Sequence, residues 1–191
     1  MQQKIILKEY YLLLTEGLTE FNIFAYLTRV RFRDIFANSS IQFSEKVEIV
    51  ELDISKGILN GITNLKTFKN KYKSIRKKYK GQGKFFLLDS DIIDSSEIEI
   101  HIKENNDIVQ FMDFNSEYLL LKIVGKKLRH KDEFQNLTDF RNYCKFEFSK
   151  HFEKKAHELK GTDFHKIFES ISDKDVMGYF PVLFKLIGAL K

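Results

Sequence analysis

Tryptophan is absent from this chain, proline occurs once, at Pro181, and cysteine once, at Cys144. So few chain breakers exclude a linker-rich polypeptide, and 43% hydrophobic residues over a length of 191 are enough for one ordered core. A lone cysteine excludes an internal disulfide and a cysteine-built zinc site, and the apolar helical setting of Cys144 reads as a small buried hydrophobe. Histidine is scarce too. His151 and His157 are six residues apart, out of register for one ion, and His101, His130 and His165 are scattered, so surface or capping roles are expected. No GxxxxGK[ST] phosphate loop occurs, since Gly81 to Lys84 lacks both its spacing and its Ser or Thr. Lys4, Lys8 and Glu9 interrupt the early apolar run, and the late run FPVLFKLIGAL is too short to span a bilayer and contains Lys185. A cytoplasmic protein without a membrane anchor is the expectation.

Charge is plentiful but unevenly spread. The chain carries 32 basic and 27 acidic residues, for a net +5. Between Lys66 and Lys84 there are nine basic residues and no acidic one. The segment from Ile58 to Tyr79 sets apolar Ile58, Ile62, Leu65, Phe68, Tyr72, Ile75 and Tyr79 at spacings of three and four, which predicts a helix with one buried stripe and lysines on its other faces. Such a field suits a polyanion, with Lys69, Lys73, Arg76, Lys77, Lys80 and Lys84 as the residues that would hold a DNA or RNA backbone. A solvated helix face is the plainer explanation of the same run.

The acidic residues recur at a particular kind of place. YYLLLTEGLTEFNIFAYL begins as an apolar strand, passes through Thr15, Glu16 and Gly17, and continues as a helix from Leu18 to about Arg33, with Glu20 one turn beyond Glu16. Gly17 is expected to allow a sharp backbone turn. After a loop at Asn38 to Ser40, Lys46 to Asp53 reads as a second strand with Glu51 and Asp53 at its end. KFFLLDSD is a third strand, ending in Asp89, Ser90, Asp91. Asp94, Glu97 and Glu99 continue into what reads as an acidic loop with a short edge strand. Ile108 to Phe114 is a fourth strand, followed by Asn115, Ser116, Glu117 and the apolar helix YLLLKIV, which Gly125 stops. Alternation of strand and helix predicts an α/β fold with a parallel sheet flanked by helices. From about Asp132 only helical patterns remain, so a helical extension over residues 126–191 is expected to pack on the first unit, residues 1–125.

In open α/β sheets the chemistry lies beyond the carboxyl ends of the strands. Carboxylates there suit a hard dication such as Mg²⁺ or Mn²⁺, which takes oxygen ligands and keeps several waters. Asp89 and Asp91, two apart in an extended segment, point the same way. Taken singly, each carboxylate has a bland explanation, as a helix-dipole partner at Glu20 or a loop aspartate after a strand. Two other functions fit the same residues: a phosphatase with Asp89 as nucleophile and Asp91 as general acid, or a binding module with no turnover.

The segments TEGLTE, the basic helix, FFLLDSD and FNSEYLLL together resemble the TOPRIM domain of topoisomerases and primases, most closely the small TOPRIM nucleases of RloB and OLD type, over residues 5 to 125. The resemblance implies a Rossmann-like, mostly parallel four-stranded sheet with a C-terminal helical cap. It implies that Glu16, Glu20 and Asp89 are catalytic, and that Glu16, Asp89, Asp91 and Glu117 hold the metal, with Asn115 beside them. Thr15 stands where RloB-like proteins often have cysteine, and the family's Asn-Pro-x-Phe-Glu signature is shortened to Asn115, Ser116, Glu117. A metal-dependent nuclease acting on DNA or RNA, tRNA included, is the implied activity. Its implied setting is anti-phage defence with a separate ATPase protein. The apolar C-terminal helices offer association surfaces for a homo-oligomer.

Overall fold

The computed structural model describes residues 11–37, 62, 64–81 and 83–186. Among these residues three strands, β1 (Tyr11–Thr15), β2 (Gly83–Asp89) and β3 (Ile108–Met112), form a parallel sheet in that order. Tyr11 pairs with Gly83 and Thr15 with Leu87, while Phe85 pairs with Ile108 and Asp89 with Met112. All three strands therefore run out at one edge, with Glu16, Asp89 and the 113–117 segment side by side. The predicted strand Lys46 to Asp53, with Glu51 and Asp53, lies outside the described residues, as do the loop at Asn38 to Ser40 and the first turn of the predicted helix from Ile58.

Both faces of the sheet are covered, which explains why its strands are apolar runs and not alternating patterns. Leu13, Phe85 and Leu87 point into one core and Leu12, Leu14, Phe86 and Leu88 into the other. The second core is closed by α3 (Leu65–Lys78) through Phe68, Tyr72 and Ile75, and by α4 (Ser95–Glu104) through Ile98 and Ile102. Asn64 caps α3, accepting from Thr67 N at 2.9 Å, and Asp94 Oδ2 accepts from Leu65 N at 2.7 Å, tying the two helices together.

The helix α4 corrects the expectation of an acidic loop and edge strand after Asp91. SEIEIHI alternates like a strand, but the buried positions are Ile98 and Ile102, four apart, while Ile100 is 56% exposed. Burial here follows the helical period, not the alternation.

The helix after β1 is also not continuous. The chain forms α1 (Leu18–Tyr26), a π-helical turn at Leu27–Arg31 and α2 (Arg33–Ala37). At the change, Thr28 Oγ1 donates to Phe24 O at 2.8 Å and Phe32 N bonds Leu27 O at 2.8 Å, five residues back. The widened turn aims Arg31 at the C-terminal helices, where it donates to Phe168 O and Ile171 O and pairs with Asp173.

After β3 come α5 (Ser116–Ile123), α6 (Leu137–Phe152), α7 (Gly161–Glu169), α8 (Asp173–Tyr179) and α9 (Pro181–Leu186). Gly125, at φ 73°, supplies the left-handed residue that ends α5. Phe148, Phe164, Phe168, Phe180 and Phe184 enter the same core as Leu13, Phe85 and Phe24, so the helical extension completes one face of the sheet. A buried side chain fastens it: Gln110 of β3 donates to Tyr179 O at 3.0 Å and accepts from Leu183 N at 3.1 Å. Among the described residues, no helix is long and apolar enough to cross a membrane.

Candidate active site

The carboxyl ends of the strands open into a cavity of about 570 Å³, lined by Glu16, Gly17, Glu20, Asp89, Asp91, Asn115, Ser116 and Glu117 and faced by Arg141, Lys145 and His157. The five acidic residues expected at the metal and catalytic positions thus meet in one place. Glu20 and Asp91 are buried, at 5% and 8% exposure, while Glu16, Asp89 and Glu117 are half-buried.

Local structure positions each of them. Glu16 is the first residue beyond β1, and Thr15 Oγ1 donates to Gly17 O at 3.0 Å, holding the strand-to-helix bend. Gly17 has φ −141° and ψ −179°, an extended conformation open to any residue, so the expected sharp turn is not its reason. Its missing side chain is. A Cβ there would stand 2.6 Å from Glu20 Oε2, so glycine is what lets the Glu20 carboxylate fold back over the start of α1.

On the other side, Asp91 N donates to Phe114 O at 3.2 Å and Phe114 N donates to Ser90 Oγ at 2.9 Å, stitching the loops after β2 and β3 together. Phe114 has φ 64°, an uncommon value for a bulky side chain, of the kind that concentrates at functional sites. It turns the chain so that Asn115 can cap α5, Oδ1 accepting from Tyr118 N at 2.9 Å.

Electrostatically the cavity is crowded with acid. Burial first, then the charges of Glu20 and Asp91, pushes the Glu16 carboxyl up to about 8, with the Asp89 backbone and Arg141 offsetting part of the rise. Burial likewise raises Glu20, against hydrogen bonding from Ser116, and raises Asp89, reinforced by Glu20, Glu16, Asp91 and Glu117. Among the described residues three polar side-chain atoms are buried without a partner: Glu16 Oε2, Asp89 Oδ1 and Asn115 Nδ2. Asn115 Oδ1 is committed to the cap, so its amide nitrogen is the group left without a partner. Two unused oxygen acceptors in an acidic crevice are the donor chemistry a hard dication takes. Among the described residues no group of three or more His, Cys, Asp or Glu is arranged as a ready-made metal site. Mg²⁺ asks for less, being held by one or two carboxylates with water and substrate phosphates.

Asp91 is less free than expected for a metal ligand, since its Oδ2 accepts from Arg141 Nε at 2.7 Å. Arg141 and Lys145, four apart on α6, and His157, in the short 3-10 turn Ala156–Glu158, were not legible as site residues. The only signal in sequence is that Arg141 and Lys145 each follow a residue of the apolar stripe, Phe140 and Cys144. His157, expected in a surface role, stands at the cavity rim.

Of the expected nucleic-acid set, Lys69, Lys73, Arg76, Lys77 and Lys80 are exposed on α3 and its exit, and Arg76 donates to Asn105. Lys84 departs from that set. It is the second residue of a strand covered on both faces, is 3% exposed and has the Asp107 charge nearby, so it offers no surface to a backbone. Lys71, on the same helix, is the lysine that feels the site: burial lowers its pKa and the Glu16 charge opposes this.

The fold and crevice define an α/β protein with a parallel sheet and an acidic site at the strand ends. Comparison with known proteins finds no matching family model, no matching curated protein and no matching solved structure.

Proposed function

We propose that this chain is a divalent-metal-dependent nuclease that hydrolyses phosphodiester bonds of DNA or RNA, on a TOPRIM-like fold. One observation carries the reading: Glu16 Oε2 and Asp89 Oδ1, at the ends of adjacent strands, are buried acceptors without a donor, beside the unpaired amide of Asn115. In this reading Glu16 and Asp89 hold Mg²⁺ or Mn²⁺, with Asp91 and Glu117 as further ligands. When bound, the ion polarises the phosphoryl oxygen and acidifies water. Glu16 would be ionised by the ion it holds and would orient the attacking water. Glu20 fixes the Ser116 side at the start of α5. Asn115 Nδ2 donates to a phosphoryl oxygen, and Arg141 and Lys145 balance its charge.

The phosphatase alternative is weaker. It needs Asp91 as a general acid, yet that carboxylate is held by Arg141, and it leaves Glu16 and Glu20 idle. The setting implied by the TOPRIM resemblance, an anti-phage effector whose ATPase is a separate protein, belongs to this proposal too.

The test is cleavage of plasmid DNA and of total tRNA by the purified protein with Mg²⁺ or Mn²⁺, beside a Glu16→Ala, Asp89→Ala double variant. Metal-dependent cutting that the double variant loses supports the reading and identifies the polymer. No cutting of either polymer, or cutting that survives both substitutions, rejects it.

A further inference from the structure

The acidic cavity does not end where its carboxylates do. Through Glu117, Lys145 and His157 it shares a wall with a second cavity of about 240 Å³, whose other lining includes Ser149 and Lys155. Through Asp91 it shares a wall with a third, of about 350 Å³, lined by Tyr118, Phe114, Phe140, His130 and Lys131. The three lie in a row through these shared residues, and we treat them as one trough. Its floor carries acid and its ends carry lysine: Lys145 and Lys155 at one end, Lys131 at the other, where Asp113 also lines it.

We infer that this trough takes a single unpaired polynucleotide strand, with its phosphates held by α6 and the turn after it. The inference rests on the nuclease reading and narrows its substrate. Access comes first. Glu20 and Asp91 are buried and Glu16 and Asp89 are recessed. A phosphate must sink into the crevice to meet them. A B-form duplex is a stiff rod, with a persistence length of about 150 base pairs, and cannot bend one phosphate down to recessed carboxylates without a deformation cost. A lone strand can, because its backbone can bend into the floor while its bases turn aside. The lining also has the two elements used by proteins that bind single strands, a cationic track and aromatic faces. Lys145 and Lys155 are exposed and supply the track. Tyr118 is half-buried against Phe114 and Phe140, at ring distances of 6.0 and 5.7 Å, and supplies a rigid face for a base. Asn115 Nδ2, on a residue 2% exposed, is a donor left without an acceptor between the two ends. The lysine-rich α3 then adds general attraction, and the trough fixes the strand.

The experiment is fluorescence anisotropy in EDTA, where nothing is cut, with a labelled 20-nucleotide single strand and the matching duplex, each as DNA and as RNA, titrated against salt. The single strand is expected to bind at least about tenfold tighter than the duplex. A Lys145→Ala, Lys155→Ala variant is expected to weaken it about tenfold and to flatten the logarithmic salt dependence by about 1.4, the value for two lost phosphate contacts. Tyr118→Leu is expected to weaken it about fivefold or more with the salt dependence unchanged. Lys174→Ala, on α8 away from the trough, is the control that changes neither. Thermal melts of each variant show that it is folded. Equal binding of duplex and single strand overturns the inference. So does no binding of either, or an affinity that falls with Lys69→Ala, Lys73→Ala, Lys77→Ala and not with the Lys145, Lys155 pair. Strand binding that depends on Lys145 and Lys155, with no cleavage in Mg²⁺ or Mn²⁺, supports the trough and rejects the nuclease reading instead.

Discussion

Arg141 Nε donates to Asp91 Oδ2 at 2.7 Å, joining a helix of the C-terminal extension to the loop after β2 across fifty positions of chain. Asp91 is 7% exposed in this pair and Arg141 is 38% exposed, so the acid depends on the base more than the reverse. Truncating the arginine strands a buried charge. Arg141→Ala is expected to destabilise the metal-free protein by about 1.5–3 kcal/mol, the range for hydrogen bonds to charged groups. Urea unfolding with and without Mn²⁺ checks it: the loss should shrink when the ion is present, and an equal loss in both conditions would contradict a shared anionic site.

Stability should fall with rising pH. The Glu16 carboxyl is raised from an ordinary value of 4.5 to about 8, so between these values the folded chain binds more protons than the unfolded one. A group of this kind contributes its stability in full below its unfolded pKa and loses it as pH rises through the folded value. Glu20 and Asp89, raised in the same direction, add to the slope. Urea midpoints in EDTA at pH 5, 6.5 and 8 should decline in that order, and less steeply in Glu16→Gln. A midpoint that climbs over this window would refute the buried acidic cluster.

Removing one charge from the cluster should help the fold and harm the site. Asp89→Asn keeps the shape of the side chain and removes the group on which burial and four neighbouring acids converge. In EDTA at pH 8 a gain of about 1 kcal/mol or more is expected, with cleavage in Mg²⁺ abolished. Paired melts and cleavage assays on the one variant read both sides, and a destabilised Asp89→Asn would count against the account.

Gly17→Ala separates backbone from side-chain reasons for a glycine. The backbone tolerates alanine, so the fold should lose less than about 1 kcal/mol. The new Cβ, 2.6 Å from Glu20 Oε2, displaces that carboxylate. Mn²⁺ binding by calorimetry should weaken at least about tenfold while the melting temperature barely moves. Unchanged binding would show that Glu20 does not shape the ion's site.

The three described strands and the acids that follow them were readable because buried parallel strands are uninterrupted apolar runs and the residue after each run faces the crevice. Glu16, Asp89 and Glu117 come from that rule, Glu20 from its place one helical turn beyond Glu16, and Asp91 from its spacing of two from Asp89. Arg141, Lys145 and His157 do not, since what brings α6 over the strand ends is the packing of Phe140, Cys144 and Phe148, and a helical stripe does not say which part of a sheet it will cover. Lys84 misled for a related reason: it continues a lysine run in sequence but begins a strand in space. The alternation at Ile98, Ile100 and Ile102 imitated a strand because isoleucine favours strands, and tertiary burial overruled it.

The clamp that Gln110 makes on Tyr179 and Leu183 spans up to seventy-three positions. A growing chain emerges from its amino end, so β3 leaves the ribosome well before the residues that satisfy its central side chain have been added. Until then a buried amide of the sheet has neither acceptor nor donor, and the phenylalanines of one face have nothing to cover them. One face of the sheet is therefore completed only when α8 and α9 have been made, and a nascent chain halted short of them would carry all five acids on a sheet with that face bare.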